Sequence, residues 1–136
     1  MALPSIGGGR QLGDGNLNEP VLASIPAPLT ATVTATLTTA QLTGGILLGS
    51  PGTSAASYTL PTASDTDAAL VNAKVGSSFD LSVVNVDGSS SGVITLVAGT
   101  GWTLVGLATV VATAGTAQLF RARKTGTAAW TLYRVA

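Results

Sequence analysis

The stretch SSFDLSVVNVDGSSSGVITLVAGTGWT, residues 77 to 103, constrains the fold of this chain more than any other. Phe79, Leu81 and Val83 alternate with polar residues, and this period of two is typical of a half-buried β-strand. The following run DGSSSG favours a turn, because Asp bonds its own backbone and Gly tolerates positive φ. The β-branched run from Val93 to Val97 then predicts a second strand. The stretch therefore predicts a sheet of short strands joined by Gly-rich turns.

Similar short runs, each ended by Gly or Pro, occur along the rest of the chain. The sequence TATVTATLT, residues 30 to 38, alternates Thr with apolar residues and predicts one continuous strand. Further strands are predicted at residues 46–48, 57–60, 104–105 and 109–112. Residues 117–124 and 128–135 predict a hairpin whose tip lies at or near Thr125 and Gly126.

One helix is predicted over residues 62 to 75. Thr62 is of the right kind for its N-cap, and Asp65 and Asp67 would lie in its first turn. Lys74 and Gly76 suit its C-terminal end. We expect this short helix to lie across a sheet edge or a barrel end, and residues 39–43 are compatible with one further helical turn.

These elements predict an all-β fold with one short helix. We expect a single antiparallel β-sandwich or small barrel spanning residues 30–136. A jelly-roll-like topology is the first choice, although local patterns do not distinguish it from other Greek-key arrangements.

Residues 1–29 are predicted to form an extended N-terminal arm. Its Gly and Pro residues disfavour regular structure, yet it carries more large aliphatic residues than a solvated tail requires. Two interpretations are open: a disordered terminus, or an arm that becomes ordered against a neighbouring subunit. In the second interpretation, the candidate residues for contact with a neighbouring protein are Leu3, Ile6, Leu12, Leu17, Val21, Leu22 and Ile25.

The chain is unusually poor in charge. Charged residues make up 9% of it, and none lies between Glu19 and Asp65, whereas about 25% is typical of soluble domains. An uncharged stretch of this length favours surface covered by other protein, so we expect a homo-oligomer. The formal net charge is zero, and neither nucleic acid nor a membrane is an expected partner.

The charges are also unevenly divided. The first 87 residues carry two cations and six acids, while the last 49 carry four cations and no acid. The cations of the predicted hairpin are interpreted as solvated charge that keeps a sheet edge soluble. A charge match between subunits is the alternative.

The residue types present argue against an enzyme. The chain contains no Cys and no His, which excludes Ser-His-Asp and Cys-His catalysis, disulfides and thiolate metal sites. Asp65 and Asp67 are better interpreted as charges of the helix N-terminus, and Asp87 as a turn residue. The spacings of Gly7–Arg10 and of Asp14–Asn16 do not fit a phosphate loop or a calcium loop. We expect no cofactor and no metal. The N-terminus also lacks the pattern of a signal peptide.

Three segments resemble small capsid decoration (cement) and head-fibre proteins of tailed bacteriophages. They are TTAQLTGGILLGSPGTSAASYTL running into PTASDTDAAL from residue 38, VGSSFDLSVVNVDGSSSGVITLVAGTGWTLVG from residue 75, and LFRARKTGTAAWTLYRV from residue 119. The resemblance lies in the order of parts: a helix, a strand ending in an Asn-containing turn, a VTLVAGTG-like strand and a closing hairpin. It covers about the last hundred residues and leaves the arm outside.

The resemblance implies a structural virion protein that binds the outer surface of a phage head and stabilises the major capsid protein. Proteins of this kind commonly act as trimers, so it also implies a homotrimer located on the capsid surface and assembled in the host cytoplasm. Lack of Cys suits assembly in a reducing compartment.

Two rival classes are open. A fibre or tail-tip adhesin would bind host surface glycans through Trp102 or exposed loops, although buried core aromatics are the more common outcome for two isolated Trp residues. The other rival is a non-viral β-sandwich binding module.

Overall fold

The computed structural model describes residues 22–136, which form ten strands and two short helices. The strands are β1 (Leu29–Ala31), β2 (Ala35–Thr36), β3 (Ile46–Gly49), β4 (Ala56–Thr59), β5 (Ser78–Asn85), β6 (Ile94–Val97), β7 (Trp102–Val105), β8 (Thr109–Val110), β9 (Thr116–Gly126) and β10 (Ala129–Arg134). The helices are α1 (Thr39–Thr43) and α2 (Ala63–Ala69). The described part of the chain is therefore β-rich, as the sequence predicted.

The first six strands wind as a parallel coil between two sheets. Strands β1, β3 and β5 are parallel neighbours in a six-stranded sheet, and β2, β4 and β6 are parallel neighbours in a four-stranded sheet. The chain passes to the other sheet after each strand, with α1 and α2 on the way back. Each return through the second sheet supplies the long crossover that parallel strands require.

The C-terminal strands continue the two sheets beyond the coil. Strand β8 pairs antiparallel with β6, and β9 pairs antiparallel with β5. The predicted hairpin is confirmed as β9 and β10, with its turn at Thr127 and Ala128. The order of the six-stranded sheet is β1-β3-β5-β9-β10-β7, so β5 joins the coil to the hairpin.

The prediction of an antiparallel architecture is wrong. Among the described strands, five neighbouring pairs are parallel and three are antiparallel. The jelly-roll-like topology is not confirmed, because the coil lacks the antiparallel neighbours that a jelly roll requires. Alternation of apolar and polar residues identifies a strand and its buried face, but it does not encode the direction of the neighbouring strand.

The single strand predicted over residues 30 to 38 is two short strands. The chain bends between β1 and β2, where Val33 is 74% exposed. At this bend the Thr34 hydroxyl oxygen accepts a hydrogen bond from the Ser57 N–H at 3.0 Å. The Thr34 side chain thus supplies a hydrogen-bond acceptor at the bend where the chain leaves one sheet and enters the other. The alternating Thr and apolar residues of the sequence therefore extend over two strands and the bend between them.

Both helices begin at Thr N-caps. Thr38 forms a capping box with Gln41, and the Thr62 hydroxyl accepts from the Asp65 N–H, which confirms Thr62 as an N-cap. The predicted helix ends at Ala69 and not at Val75, and Asp67 lies beyond its first turn. A helix this short depends on packing, and α2 buries only Ala63 and Thr66 among its own residues. The second short helix, α1, coincides with the further helical turn that was expected to be possible at residues 39–43.

Side chains from both sheets meet in one hydrophobic core. The largest fully buried members are Trp130, Tyr58, Phe120, Leu42, Leu47, Leu60, Leu81, Ile94, Leu96, Leu132, Val83 and Val110. The Tyr58 hydroxyl bonds the carbonyls of Ala31 and Thr32, which ties the four-stranded sheet to the end of β1. The buried alternate residues of β5 and β9 leave their other residues on the outer face of the six-stranded sheet.

Candidate interaction surface

Asp67 connects α2 to the hairpin. Its carboxylate accepts hydrogen bonds from the Ala128 N–H and the Trp130 indole N–H, both at 2.8 Å, and lies 3.0 Å from the Lys124 ammonium. The Ala128 N–H holds the pKa of the Asp67 carboxyl below its usual 3.8, with Lys124 and Trp130 contributing and partial burial opposing. The expectation that Asp67 serves as a charge of the helix N-terminus is therefore wrong, because it lies beyond the first turn of α2 and its hydrogen-bond donors come from the β9–β10 hairpin.

Two further carboxylates also make structural contacts. Arg121 donates two hydrogen bonds to Asp80, at 2.7 and 3.1 Å, and these bonds lower the pKa of the Asp80 carboxyl. Asp87 accepts from the Ser50 hydroxyl and the Gly52 N–H, which lower its pKa and connect the β5–β6 loop to the β3–β4 turn. Asp65 does lie in the first turn of α2, as predicted.

The described residues hold neither a metal cluster nor a membrane span. Within residues 22–136, no three acidic side chains come together in a group that could hold a metal ion. Neither described helix has the length or apolar character needed to cross a membrane.

Both Trp side chains belong to the core. Trp130 is 1% exposed and Trp102 is 7% exposed, and their rings stack with centroids 5.8 Å apart. The Trp102 indole N–H donates to the Pro61 carbonyl at 2.8 Å. Because Trp102 is almost fully buried and its N–H is already bonded, it offers no exposed platform for stacking on a sugar.

Asn85 is a structural residue that sequence reasoning missed. It is fully buried at the end of β5, where its amide N–H groups donate to the carbonyls of Gly92 and Val111. Its amide oxygen accepts from the Gly88 N–H at 2.7 Å. Its place directly before a Gly-rich turn is the sequence feature that could have revealed this role.

The described part of the arm, residues 22–28, contains no helix or strand and is exposed throughout. Two candidate contact residues are described, and Leu22 is 76% exposed and Ile25 57% exposed. The Ile25 side chain lies beside the α1–β3 turn, 3.7 Å from where a Cβ on Gly45 would be. The other candidates lie outside the described residues: Leu3, Ile6, Leu12, Leu17 and Val21.

The outer face of the six-stranded sheet carries aliphatic side chains in register. One row contains Leu48, Val84 and Ala117, and the next contains Ile46 and Leu119 on either side of Ser82. These aliphatic side chains are half-buried, apart from the exposed Ala117. The core that this sheet shares with the four-stranded sheet lies on its other side, and we call the outer side the aliphatic face.

The first turn of the coil is exposed and uncharged. Residues 29 to 36 are all exposed except Ala31, and they lie inside the stretch from residue 20 to residue 64 that contains no charge. β1 and β2 are edge strands of their sheets. Natural edge strands are commonly protected by charge, by Pro or by a bulge. In β1, the Gln41 side-chain amide donates a hydrogen bond to the Thr30 carbonyl. This side chain occupies one of the backbone groups that an edge strand leaves open.

An apolar groove lies at the opposite end of β5 from Asn85. It has a volume of about 340 Å³ and is lined by Ala69, Leu70, Val71, Asn72, Ala73, Ser77, Ser78, Phe79 and Trp130. No lining residue is charged. Val71 at its rim is 78% exposed, and nearby Val75 is 64% exposed. We call this site the Phe79 groove.

Comparison of the chain with protein-family models, characterised proteins and solved structures finds no match.

Proposed function

We propose that this chain is a structural virion protein, a capsid decoration or cement protein of a tailed bacteriophage. In this proposal it binds the outer surface of the head as a homotrimer and stabilises the major capsid protein. The resemblance of residues 38 to 135 to such proteins motivates the proposal, and the chemistry of the surface supports it.

The observation that carries the proposal is uncharged exposed surface on a rigid β body. The first coil turn is exposed without a charged residue, and the aliphatic face adds half-buried Ile46, Leu48, Val84 and Leu119. Burial of such surface stabilises association by roughly 25 cal/mol per Å² before the costs of association are subtracted. Many copies on one shell add their contacts, so a modest contact per copy strengthens the whole shell.

The proposal includes no catalytic step. Asp67, Asp80 and Asp87 are engaged in contacts that connect elements of the body, and such contacts suit a protein that resists deformation. We infer that the two sheets, which share one core, form a sandwich-like unit that remains rigid while its surface binds.

We further propose that the arm sets the affinity for the capsid. Ordering an arm costs ~1–2 kcal/mol per residue in backbone entropy, and burial of its aliphatic side chains on a neighbour offsets that cost. The described contact candidates Leu22 and Ile25 are exposed and free to be buried in this way.

The test is retention on phage particles that lack the native protein. The full chain is compared with a chain beginning at Leu29, and thermal melting of both free proteins serves as the folding control. We expect the truncated chain to melt within a few degrees of the full chain and to bind particles at least tenfold more weakly. Equal retention would show that the arm does not set affinity. Failure of both chains to bind particles, with binding to host cells instead, would favour the adhesin.

A further inference from the structure

We propose that the Phe79 groove is the docking site for Leu17 and Val21 of the same chain. The occupant is a segment that precedes the described residues, and the site is on the body of its own subunit. The inference does not rest on the proposed function, because it concerns the free protein.

The groove has the chemistry of a site for aliphatic side chains. Its lining combines Leu70, Phe79 and the edge of Trp130 with small residues, and none of its lining residues is charged. Its volume of about 340 Å³ lies near the lower end of the range for ligand sites. Trp130 is otherwise buried at 1% exposure, so a ligand in the groove would contact the edge of the core. Such a site fits one or two aliphatic side chains and not a large ligand.

The position at which the described chain begins places the arm near this groove. Ile25 lies beside Gly45, and the Gly45 carbonyl accepts from the Ser82 N–H at 2.9 Å. Phe79 precedes Ser82 by three residues on β5, which is ~10 Å along a strand. The contact between Ile25 and Gly45 and the hydrogen bond from Ser82 to Gly45 add to this distance. The total is roughly 15–20 Å from Ile25 to the groove.

The spacing of the arm fits this distance. An extended chain covers about 3.3 Å per residue, so about five or six residues bridge the gap from Ile25. Counting back along the chain reaches Glu19 and Pro20, and the flanking aliphatic residues are Leu17 and Val21. Leu3 and Ile6 are about 20 residues from Ile25 along the sequence, well beyond the five or six that this distance requires.

Tethering favours the same chain over a second copy. A segment on a short flexible linker has an effective concentration of roughly millimolar at its site. At micromolar protein concentration the arm of another copy is ~100-fold or more scarcer. The groove of the free protein is therefore filled from its own arm.

Disulfide cross-linking tests this placement, because the native chain contains no Cys. One variant carries Asn18→Cys in the arm and Asn72→Cys at the exposed groove rim. The matched control carries Asn18→Cys with Ser91→Cys, which is exposed in the loop after the other end of β5. A disulfide forms only when the two Cα atoms approach to about 7 Å. We expect the intrachain cross-link to Asn72→Cys to form at least about tenfold faster than the control.

A second pair of variants tests the occupant. Adding Leu17→Ser and Val21→Ser to the first variant should reduce its rate to that of the control, whereas adding Leu3→Ser and Ile6→Ser should leave the rate unchanged. All four substitutions lie before the described body, so folding of the body is not at risk from them. Equal cross-linking rates for Asn72→Cys and the control Ser91→Cys would overturn the proposal, as would a rate insensitive to Leu17→Ser and Val21→Ser. Cross-linked dimers as the main product would also overturn it, by assigning the groove to a second copy.

Discussion

At the residue scale, the loops of this protein are held by a few buried polar side chains. Asn85 satisfies three backbone groups from the loops around it. The close approach of Gly88 to its amide leaves no room for a Cβ there. Because a buried backbone group without a partner costs about 1–3 kcal/mol, one side chain fixes the path of two loops.

Replacing Asn85 should therefore be among the most damaging single substitutions. Asn85→Ala leaves the carbonyls of Gly92 and Val111 and the Gly88 N–H without this partner, and we expect a loss of about 3 kcal/mol or more in unfolding free energy. Urea denaturation measures this loss. Asn72→Ala, at an exposed site, is the control and should change stability by no more than about 0.5 kcal/mol. Similar midpoints for the two variants would show that Asn85 does not hold the loops.

Ala128 offers a substitution in the opposite direction. Its φ is 48° at the turn of the β9–β10 hairpin, a conformation that costs an L-residue with a Cβ roughly 1–2 kcal/mol. Ala128→Gly removes this strain and keeps the N–H that bonds Asp67, at some cost in unfolded-state entropy. We expect a net gain of about 0.5–1 kcal/mol, measured as a higher melting temperature. Ala129→Gly is the control, because Ala129 has no positive φ, and it should lower the melting temperature. A lower melting temperature for both variants would show that Ala128 is not strained.

At the scale of elements, α2 and the hairpin are joined by Asp67. The carboxylate receives one backbone N–H, one indole N–H and one ammonium, so the helix and the β9–β10 turn move together. The hairpin in turn supplies Trp130, which stacks on Trp102 and contacts Phe79. The contact thus fixes the end of the core next to the Phe79 groove.

Asp67→Asn should destabilise the protein in a pH-dependent manner. Because the folded pKa of Asp67 is below 3.8, the unfolded state binds its proton first as the pH falls. The contribution is therefore present above about pH 4–5 and is lost as the pH falls through the folded pKa. We expect Asp67→Asn to cost ~1–3 kcal/mol at pH 7 and progressively less toward pH 3. Chemical denaturation at several pH values measures the difference from wild type.

Asp65→Asn is the matched control for this experiment. Asp65 is exposed on the same helix and its carboxylate bonds no group of the hairpin among the described residues. Its substitution should have an effect below about 0.5 kcal/mol. A constant gap between wild type and Asp67→Asn from pH 7 to pH 3 would be inconsistent with the lowered pKa.

The positions of most elements could be predicted from the sequence, and their pairing could not. Strands near residues 46–48, 57–60 and 79–85, the Thr62 N-cap and the terminal hairpin follow from local patterns. The parallel coil does not follow from local patterns. β3 and β5 are parallel because the chain between them returns through β4 of the other sheet, and no local pattern encodes that path. The aliphatic face illustrates the same limit, because Ile46 and Leu119 become neighbours of Ser82 only through strand register.

At the scale of the whole molecule, the protein presents an aliphatic face, an uncharged first coil turn and an arm on one compact body. These surfaces involve exposed or half-buried apolar residues, and soluble monomers rarely leave large apolar patches uncovered. The face includes β3, which belongs to the uncharged stretch from residue 20 to residue 64. Self-association through this face would cover part of that stretch.

We expect the free protein to form a homo-oligomer, with a trimer as the main species. Analytical ultracentrifugation at micromolar concentration should detect it. Val84→Lys places a charge in the aliphatic face and should shift the protein to monomers. Thr95→Lys, on the outer side of the four-stranded sheet, should leave the oligomer intact. A monomer for wild type, or equal dissociation by both variants, would contradict self-association through this face.

The central place of β5 has a consequence for biosynthesis. Its neighbour β9 begins at Thr116, so this edge of β5 stays open until the last part of the chain has been translated. At about 5–20 residues per second, the coil from β1 to β6 waits several seconds for this partner. A nascent chain stalled before Thr116 would present an unpaired, aliphatic strand to other nascent chains. Ribosomes that translate this message as a polysome would therefore bring such edges close together, and a pause in translation after β5 and before β9 is complete at Gly126 would prolong this exposure.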